Sequence, residues 1–235
     1  MKFQQPALLE LPKFKTALEY RDKFTFGHEK IDSILELHLG HMMGIFGETK
    51  YSNALATRLI VRSLLPRNHG GVNAEKVIVI DADNSSSPYL YVDIARQYGM
   101  HHSKVLRNVV VSRQFTIYQL TNTIIYDLPR RVQIHKPKVI LISGLLNQFY
   151  QDPYVNNAEA ESLVSQIVTA LHKIKDVFIV LTSHMTDNKI EFPAISRIEI
   201  RAKKEFDETK LNLSIYNTGR LRKVSMTENV LNSLI

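Results

Sequence analysis

Apolar residues in this chain follow two rhythms. Runs rich in Val, Ile and Leu at 41–46, 76–81, 108–112, 138–143 and 177–182 have the length of strands, and their near-continuous apolarity is that of strands covered on both faces. Between them the spacing lengthens, and 52–65, 88–98, 116–128 and 158–174 carry apolar stripes at helical intervals. The last stripe is the clearest, with Ala160, Leu163, Val164, Ile167, Val168, Leu171 and Ile174 on one face. Strand and helix in alternation predict an α/β fold, a mostly parallel sheet flanked by helices. After Pro193 the period falls to two, in Arg197-Ile-Glu-Ile-Arg-Ala-Lys203 and Lys210-Leu-Asn-Leu-Ser-Ile-Tyr216, which predicts a C-terminal antiparallel hairpin closing the sheet. Residues 1–23, interrupted by Pro6 and Pro12, sustain no period and read as an arm, which leaves 24–235 as one core domain. No internal repeat or low-complexity tract is visible.

Composition narrows the classes without naming one. With 44% hydrophobic and 23% charged residues the chain is globular. No apolar run reaches the ~18 residues of a membrane span, and the first residues lack the apolar segment of a signal peptide. The expected location is therefore the cytoplasm, or the nucleus in a eukaryote, with no membrane partner. Zero cysteine excludes disulfides, zinc ribbons and thiol nucleophiles together. Nine histidines show no metal-ligand spacing, so no metal is expected. A net charge of +7 favours an anionic partner.

One window carries candidate chemistry. The strand-like His41-Met-Met-Gly-Ile-Phe46 runs into a turn that opens a helix, the place where a phosphate-binding loop would sit. Such a loop needs glycines so that backbone N–H groups converge on phosphate, a Lys on the outer phosphates, and a Ser or Thr on magnesium. Against G-x-x-x-x-G-K-[ST], the chain reads Gly44-Ile-Phe-Gly47-Glu48-Thr49-Lys50-Tyr51. Gly44, Gly47 and Lys50 are the candidate nucleotide contacts. Thr49 stands where a glycine with φ > 0 is usual, a conformation strongly disfavoured for a β-branched residue. Tyr51 cannot place an aliphatic hydroxyl on a metal. A plain strand-turn-helix with a surface lysine accounts for this window equally well.

The neighbouring windows resemble the RadA/RecA-type recombinase family over nearly the whole chain. Phe26-Gly-His-Glu-Lys-Ile-Asp32-Ser-Ile-Leu35 is similar to the helix before that family's phosphate loop, and Val77-Ile-Val-Ile-Asp81-Ala-Asp83 to its second strand. Asn108-Val-Val-Val-Ser-Arg113-Gln-Phe115 resembles the third strand, Lys138-Val-Ile-Leu-Ile-Ser143-Gly144 the magnesium-binding fourth, and Phe178-Ile-Val-Leu-Thr182-Ser183-His184 the strand ending in Thr-Asn-Gln. The resemblance implies a RecA-like core, but departs at its catalytic positions. Asp83 stands where the family polarises water with Glu, Ser143 where it offers Asp to magnesium, and Ser183-His184 where Asn-Gln senses the γ-phosphate. Phosphoryl transfer rests on positioning and electrostatics, so the expectation is a divergent RadA paralogue, archaeal in type, with no catalytic residues and no cofactor beyond weakly held ATP. The small DNA-binding module that usually precedes the core is expected to be missing.

The resemblance also directs attention to Pro12-Lys-Phe14-Lys-Thr-Ala17. In the family a Phe-x-x-Ala segment adds as a strand to a neighbouring protomer, which is β-augmentation. Phe14 and Ala17 are thus interface candidates, with a RadA-type recombinase, another paralogue or a second copy as partner. The family's two DNA loops are poorly matched, because 147–157 contains no arginine and 185–196 is short. Basic charge lies elsewhere: 104–138 holds seven basic residues against Asp127 alone. Lys104, Arg107, Arg113, Arg130 and Arg131 there, and Arg201, Lys203, Lys204, Arg220, Arg222 and Lys223 on the hairpin and tail, are candidate phosphate contacts with DNA. The combined expectation is a non-catalytic recombinase paralogue that assists homologous recombination and repair. The alternative is an active, divergent KaiC-like ATPase in signalling or motility.

Overall fold

Side chains that alternate along the central strands feed two cores, one on each face of a single sheet. A computed structural model describes residues 23–151, 154–184, 196–205, 208–217 and 219–233. After a short pair, β1 (Lys23–Phe24) and β2 (Leu37–His38) around α1 (Glu29–Asp32), come β3 (Met42–Phe46), α2 (Thr49–Ser63), β4 (Val77–Asp81), α3 (Pro88–Gln97), α4 (His102–Asn108) and β5 (Val109–Arg113). There follow α5 (Ile117–Asn122), a π turn (Thr123–Asp127), α6 (Leu128–His135), β6 (Val139–Ser143), α7 (Asn147–Gln151), α8 (Asn157–His172) and β7 (Phe178–Ser183). The chain ends in β8 (Ser196–Glu205), β9 (Glu208–Asn217), β10 (Arg220–Thr227) and α9 (Glu228–Ser233). Among the described residues no helix is long and apolar enough to cross a membrane.

The main sheet has eight strands in the order β10-β9-β8-β3-β7-β6-β4-β5. It is parallel from β8 to β5, and β8, β9 and β10 form an antiparallel meander. Met43, Ile45, Val77, Val79, Leu141 and Val180 pack with α2, α3 and α4. Their neighbours Met42, Ile78, Ile80, Ile140, Ile142 and Leu181 pack with α5, the π turn, α6 and α8. A strand's period of two makes this division unavoidable once both faces are covered.

Three departures from the sequence pattern have identifiable causes. The run at 108–112 predicts a doubly covered strand, yet β5 is the sheet's edge, with Val111 42% exposed; apolarity alone does not distinguish an edge from the centre. The helix expected at 116–128 continues to His135, because the π turn and a fresh start at Leu128 put Pro129 at a helix's beginning, where its missing N–H costs nothing. The C-terminal hairpin gains a third strand, β10, whose basic residues and Gly219 had masked its alternation of Val224 and Met226 with polar neighbours.

Two arginines do unusual work for the fold. Arg58 and Arg62 on α2 are 5% and 7% exposed. Arg58 Nε donates to the Phe26 carbonyl at 2.6 Å, and Arg62 Nε to the Thr25 carbonyl at 2.7 Å. Both guanidinium groups lie over the Tyr98 ring, 5.3 and 5.1 Å from its centroid. They tie the segment entering α1 onto the first core. Arg58→Ala should leave a buried carbonyl unpaired and lower stability by about 2 kcal/mol in urea titration. Arg58→Lys should recover little of it, since an ammonium cannot reproduce the sideways donation of Nε.

Candidate functional site

In a doubly wound sheet, ligands collect at the carboxyl ends of strands where successive connections pass to opposite faces. Here β4 leads into helices of one face and its neighbour β6 into helices of the other. The crevice therefore falls between Asp81–Asp83 and Ser143–Gly144, beside the turn from β3 into α2.

Asp81 has no exposure at all, and its carboxylate is fully engaged. Oδ1 accepts from the Ser85 backbone N–H and the Ser143 hydroxyl, both at 3.0 Å. Oδ2 accepts from the Ser86 backbone N–H at 3.1 Å and faces Arg113 Nε at 3.5 Å. Ser143 is thus a neutral donor to the neighbouring strand. Asp83 sits against Gly144, whose φ of +66° and missing Cβ make room for it, and it accepts from Ser85 Oγ and from Asn53 Nδ2 at 3.4 Å. Asn53 also donates to Ser85 Oγ and accepts from Thr182 Oγ1 at 2.8 Å, which in turn accepts from the Gly144 N–H at 3.1 Å. Asn147 Oδ1 accepts from Ser183 Oγ and the His184 N–H, at 3.0 and 2.9 Å. These bonds link α2 and α7 with the ends of β4, β6 and β7 in one polar layer.

The glycine-containing turn is equally committed. Thr49 is already the first helical residue and keeps a negative φ, so the glycine expected at its position is not needed; α2 simply starts three residues before 52. Its hydroxyl is hydrogen-bonded to His184 Nε2. Gly47, at φ +155°, comes so near β8 that a Cβ would lie 2.7 Å from the Ile200 carbonyl, and its N–H donates to Ser183 at 3.1 Å. The Phe46 ring covers Gly44, where a Cβ would meet it at 2.3 Å. Lys50 pairs with Glu228 of α9, and its Nζ is 5.3 Å from the centre of the Tyr51 ring. The hydrogen bond to Glu228 raises the Lys50 pKa and lowers that of Glu228. Burial, then the charge of Glu228, raises that of the Tyr51 phenol.

A nucleotide with magnesium does not fit this arrangement. The loop lysine is held by a carboxylate, the loop glycines are packed against β8 and Phe46, and the strand-end hydroxyls of Ser143, Thr182 and Ser183 are bonded to Asp81, Asn53 and Asn147. Among the described residues no three His, Asp or Glu side chains converge as metal ligands.

The sequence of this chain matches a sequence model of the Rad51 family over residues 22–201. The chain belongs to the Rad51 family. It is 28% identical over 193 residues to the human meiotic recombination protein DMC1/LIM15 homolog, covering 74% of this chain and 56% of that protein. It is 27% identical over 176 residues to the DMC1 homolog of Arabidopsis thaliana, covering 73% and 50%, and 25% identical over 162 residues to the tomato (Solanum lycopersicum) DNA repair protein RAD51 homolog, covering 66% and 46%. This Rad51-family chain spans about half the length of these relatives.

The candidate DNA contacts do not form one surface. Lys104 and Arg107 on α4, Arg113 on β5, and Arg130 and Arg131 on α6 lie at the β5 edge. The second group lies at the other end of the eight strands, on the order of 30 Å away at ~4.8 Å per strand. It is also divided by strand alternation. Arg201, Lys203 and Lys223 share the open face of the meander with Asn212, Ser214 and Tyr216, whereas Lys204, Arg220 and Arg222 are in register with the opposite, core-side face. Several are already paired: Lys203 with Glu205 at 3.0 Å, Lys104 with the Leu64 carbonyl at 3.3 Å, and Arg113 with Asp81. Phe14, Ala17 and the second DNA loop at 185–195 fall outside the described residues. Sequence reasoning missed Asn53, Thr182, Asn147 and Glu228 as parts of the site; a polar residue inside the apolar stripe of α2 was the available signal for Asn53.

Ser143→Asp tests the Asp81 bond. It would place two carboxylates a hydrogen bond apart, so one is forced to a raised pKa, and stability should fall by about 3–5 kcal/mol at pH 8. A raised folded-state pKa stabilises below it and is lost above, so the deficit should shrink as pH is lowered towards 5, measured by urea titration. Ser143→Ala, which only loses a donor, should cost about 1–2 kcal/mol.

Proposed function

We propose that this protein is a Rad51-family subunit without ATPase activity that pairs with a recombinase, or with a second copy of itself, in homologous recombination and DNA repair. The carrying observation is the Ser143–Asp81 bond: at the point where phosphoryl transfer needs a metal held by protein oxygen, the strand ends satisfy each other. Positioning and electrostatics are nearly all that such catalysis has. Asp83, shortened by a methylene and engaged by Ser85 and Asn53, supports the same reading. Purified protein with magnesium and ATP should release phosphate only at background. Turnover abolished by Lys50→Ala would overturn the reading and favour a divergent ATPase.

Pairing is supported by the β5 edge. Its main chain is open to an added strand, and beside it lies a cavity of about 220 Å³ lined by Ile78, Ile80, Val110, Val111, Leu128 and Arg131 among others. The lining is mixed, with Ser112, Thr123, Asp127 and Arg131 beside the apolar side chains, and the volume exceeds the roughly 150 Å³ in which an apolar cavity admits benzene. The Phe14-x-x-Ala17 arm is the segment we assign to such an edge. Phe14→Ala should weaken association at least tenfold, the loss of a buried aromatic anchor worth ~2 kcal/mol or more, while the melting temperature stays nearly constant. Sedimentation of equimolar mixtures reads the first and calorimetry the second; a lowered melting temperature with association intact would assign Phe14 to the protein's own core.

DNA is the third component of the reading. The open face of the meander, where Arg201 and Lys223 line a groove of about 550 Å³, and the β5-edge cluster including Arg130 and Arg131 are separate phosphate-binding candidates. Binding through phosphates should weaken steeply with salt and vary little with base sequence. Fluorescence anisotropy should show Arg130→Glu/Arg131→Glu and Arg201→Glu/Lys223→Glu weakening it independently; affinity indifferent to salt and to both pairs would remove DNA from the reading.

A further inference from the structure

β10 ends the sheet on the side opposite β5, and among the described residues no strand pairs with its outer side. On its inner side it is joined to β9 in antiparallel register. A strand with one face on a core alternates buried and exposed positions, as Val224, Ser225 and Met226 do. The first half of β10 breaks that rule. Arg220, Leu221, Arg222 and Lys223 are all exposed, Leu221 to 48%, so four successive side chains at a sheet edge stand in water on both faces.

Those faces have different linings, and both are basic. Arg220 and Arg222 line a groove of about 350 Å³ with Ser33 and Ile34, just after α1, and with Asn217. Asn217 is fixed there, because its Nδ2 donates to the Ile34 carbonyl and its Oδ1 accepts from Ser196 Oγ, both at 3.0 Å. No carboxylate lines this groove. Leu221 and Lys223 line the groove on the open face of the meander, whose acidic member, Glu199, is paired with Arg197 at 3.2 Å. Among the described residues Arg220, Arg222 and Lys223 have no carboxylate partner.

We propose that the β10 edge takes up an acidic, extended segment of a partner protein as an added strand. Such a segment continues the main-chain ladder and sends successive side chains to alternate faces. Two acidic residues separated by one position would meet Arg220 and Arg222, which lie about 7 Å apart along the strand. The residue between them would lie beside Leu221, so the pattern recognised is an apolar residue flanked by two acids. A second copy of β10 is excluded as occupant, since antiparallel self-pairing would set three cations against three. A nucleic acid fits less well: one phosphate backbone follows one face, whereas these cations alternate between two. The inference rests neither on the assignment of the β5 edge nor on DNA binding.

Fluorescence anisotropy of the full chain with a labelled ten-residue peptide of alternating Glu and Val tests it. The peptide should bind at low salt and weaken as salt is raised. Arg220→Glu/Arg222→Glu should weaken binding at least tenfold, because two attractive pairs become repulsive, and the milder Arg220→Gln/Arg222→Gln should show a smaller loss. Lys173→Glu/Lys175→Glu, the same change of net charge after α8, should alter affinity less than twofold; melting temperatures confirm that each variant is folded. The same peptide N-methylated throughout keeps its charge and loses every main-chain donor, so its binding should disappear. The proposal is overturned if the unmodified peptide does not bind, if the methylated one binds equally, or if the Lys173/Lys175 reversal matches that at Arg220 and Arg222. It also falls if the arginine reversal weakens a single-stranded oligonucleotide while leaving the peptide unaffected, which would assign this edge to nucleic acid.

Discussion

A carboxylate with no access to water has to be satisfied from within the protein, and Asp81 is that carboxylate. It sits at the carboxyl end of β4, beside the seam where the helical connections change face. Ionised and buried, it would be costly without several donors. Two backbone N–H groups, the Ser143 hydroxyl and Arg113 supply them. Ser143 is thereby committed to β4, and the turn at 85–86 is drawn in under the strand. Asp83 is then placed against Gly144, and through Asn53 the network reaches α2 and β7. Each member of the layer holds the next.

That layer shows how the ends of the central strands are held together from within the chain. An acidic pair at the ends of β4 and β6 would repel unless a cation lay between them. A hydroxyl in place of one acid converts the same position into a hydrogen bond that needs no ion. Ser143 thus stabilises the buried aspartate without an ion. The turn at 44–51 is likewise engaged within the chain. Gly47 serves close packing against Ile200, Phe46 lies on Gly44, and Lys50 answers a carboxylate of the same chain. Lys50–Glu228 is partly solvated and contributes little to the fold.

The two edges of the sheet differ in the same functional sense. At one, β5 is the last strand among the described residues and lies beside a cavity of mixed lining. At the other, the meander offers an open polar face whose alternate side chains are basic. The charge of the chain is consequently split between two ends of the molecule, and any nucleic acid contacting both would have to cross the sheet's full width.

Much of this was legible before any coordinates. Alternation of strand-length and helix-length apolar runs determined five parallel strands and their covering helices to within a few residues, because burial on both faces demands those periods. The turn from β3 into α2 was also readable, since Gly44, Gly47 and Lys50 form a local pattern. Strand order was not. Val111 looks as buried as Val79 in one dimension, and only lateral pairing makes β5 an edge. Likewise the third strand of the meander, the meeting of Ser143 with Asp81 across 62 positions and of Glu228 with Lys50 across 178 depend on which strand lies beside which. Hydrophobic periodicity specifies which face of an element is buried but carries no information about its neighbour; that choice is made by the whole sheet when it closes, and with it the chemistry of this site.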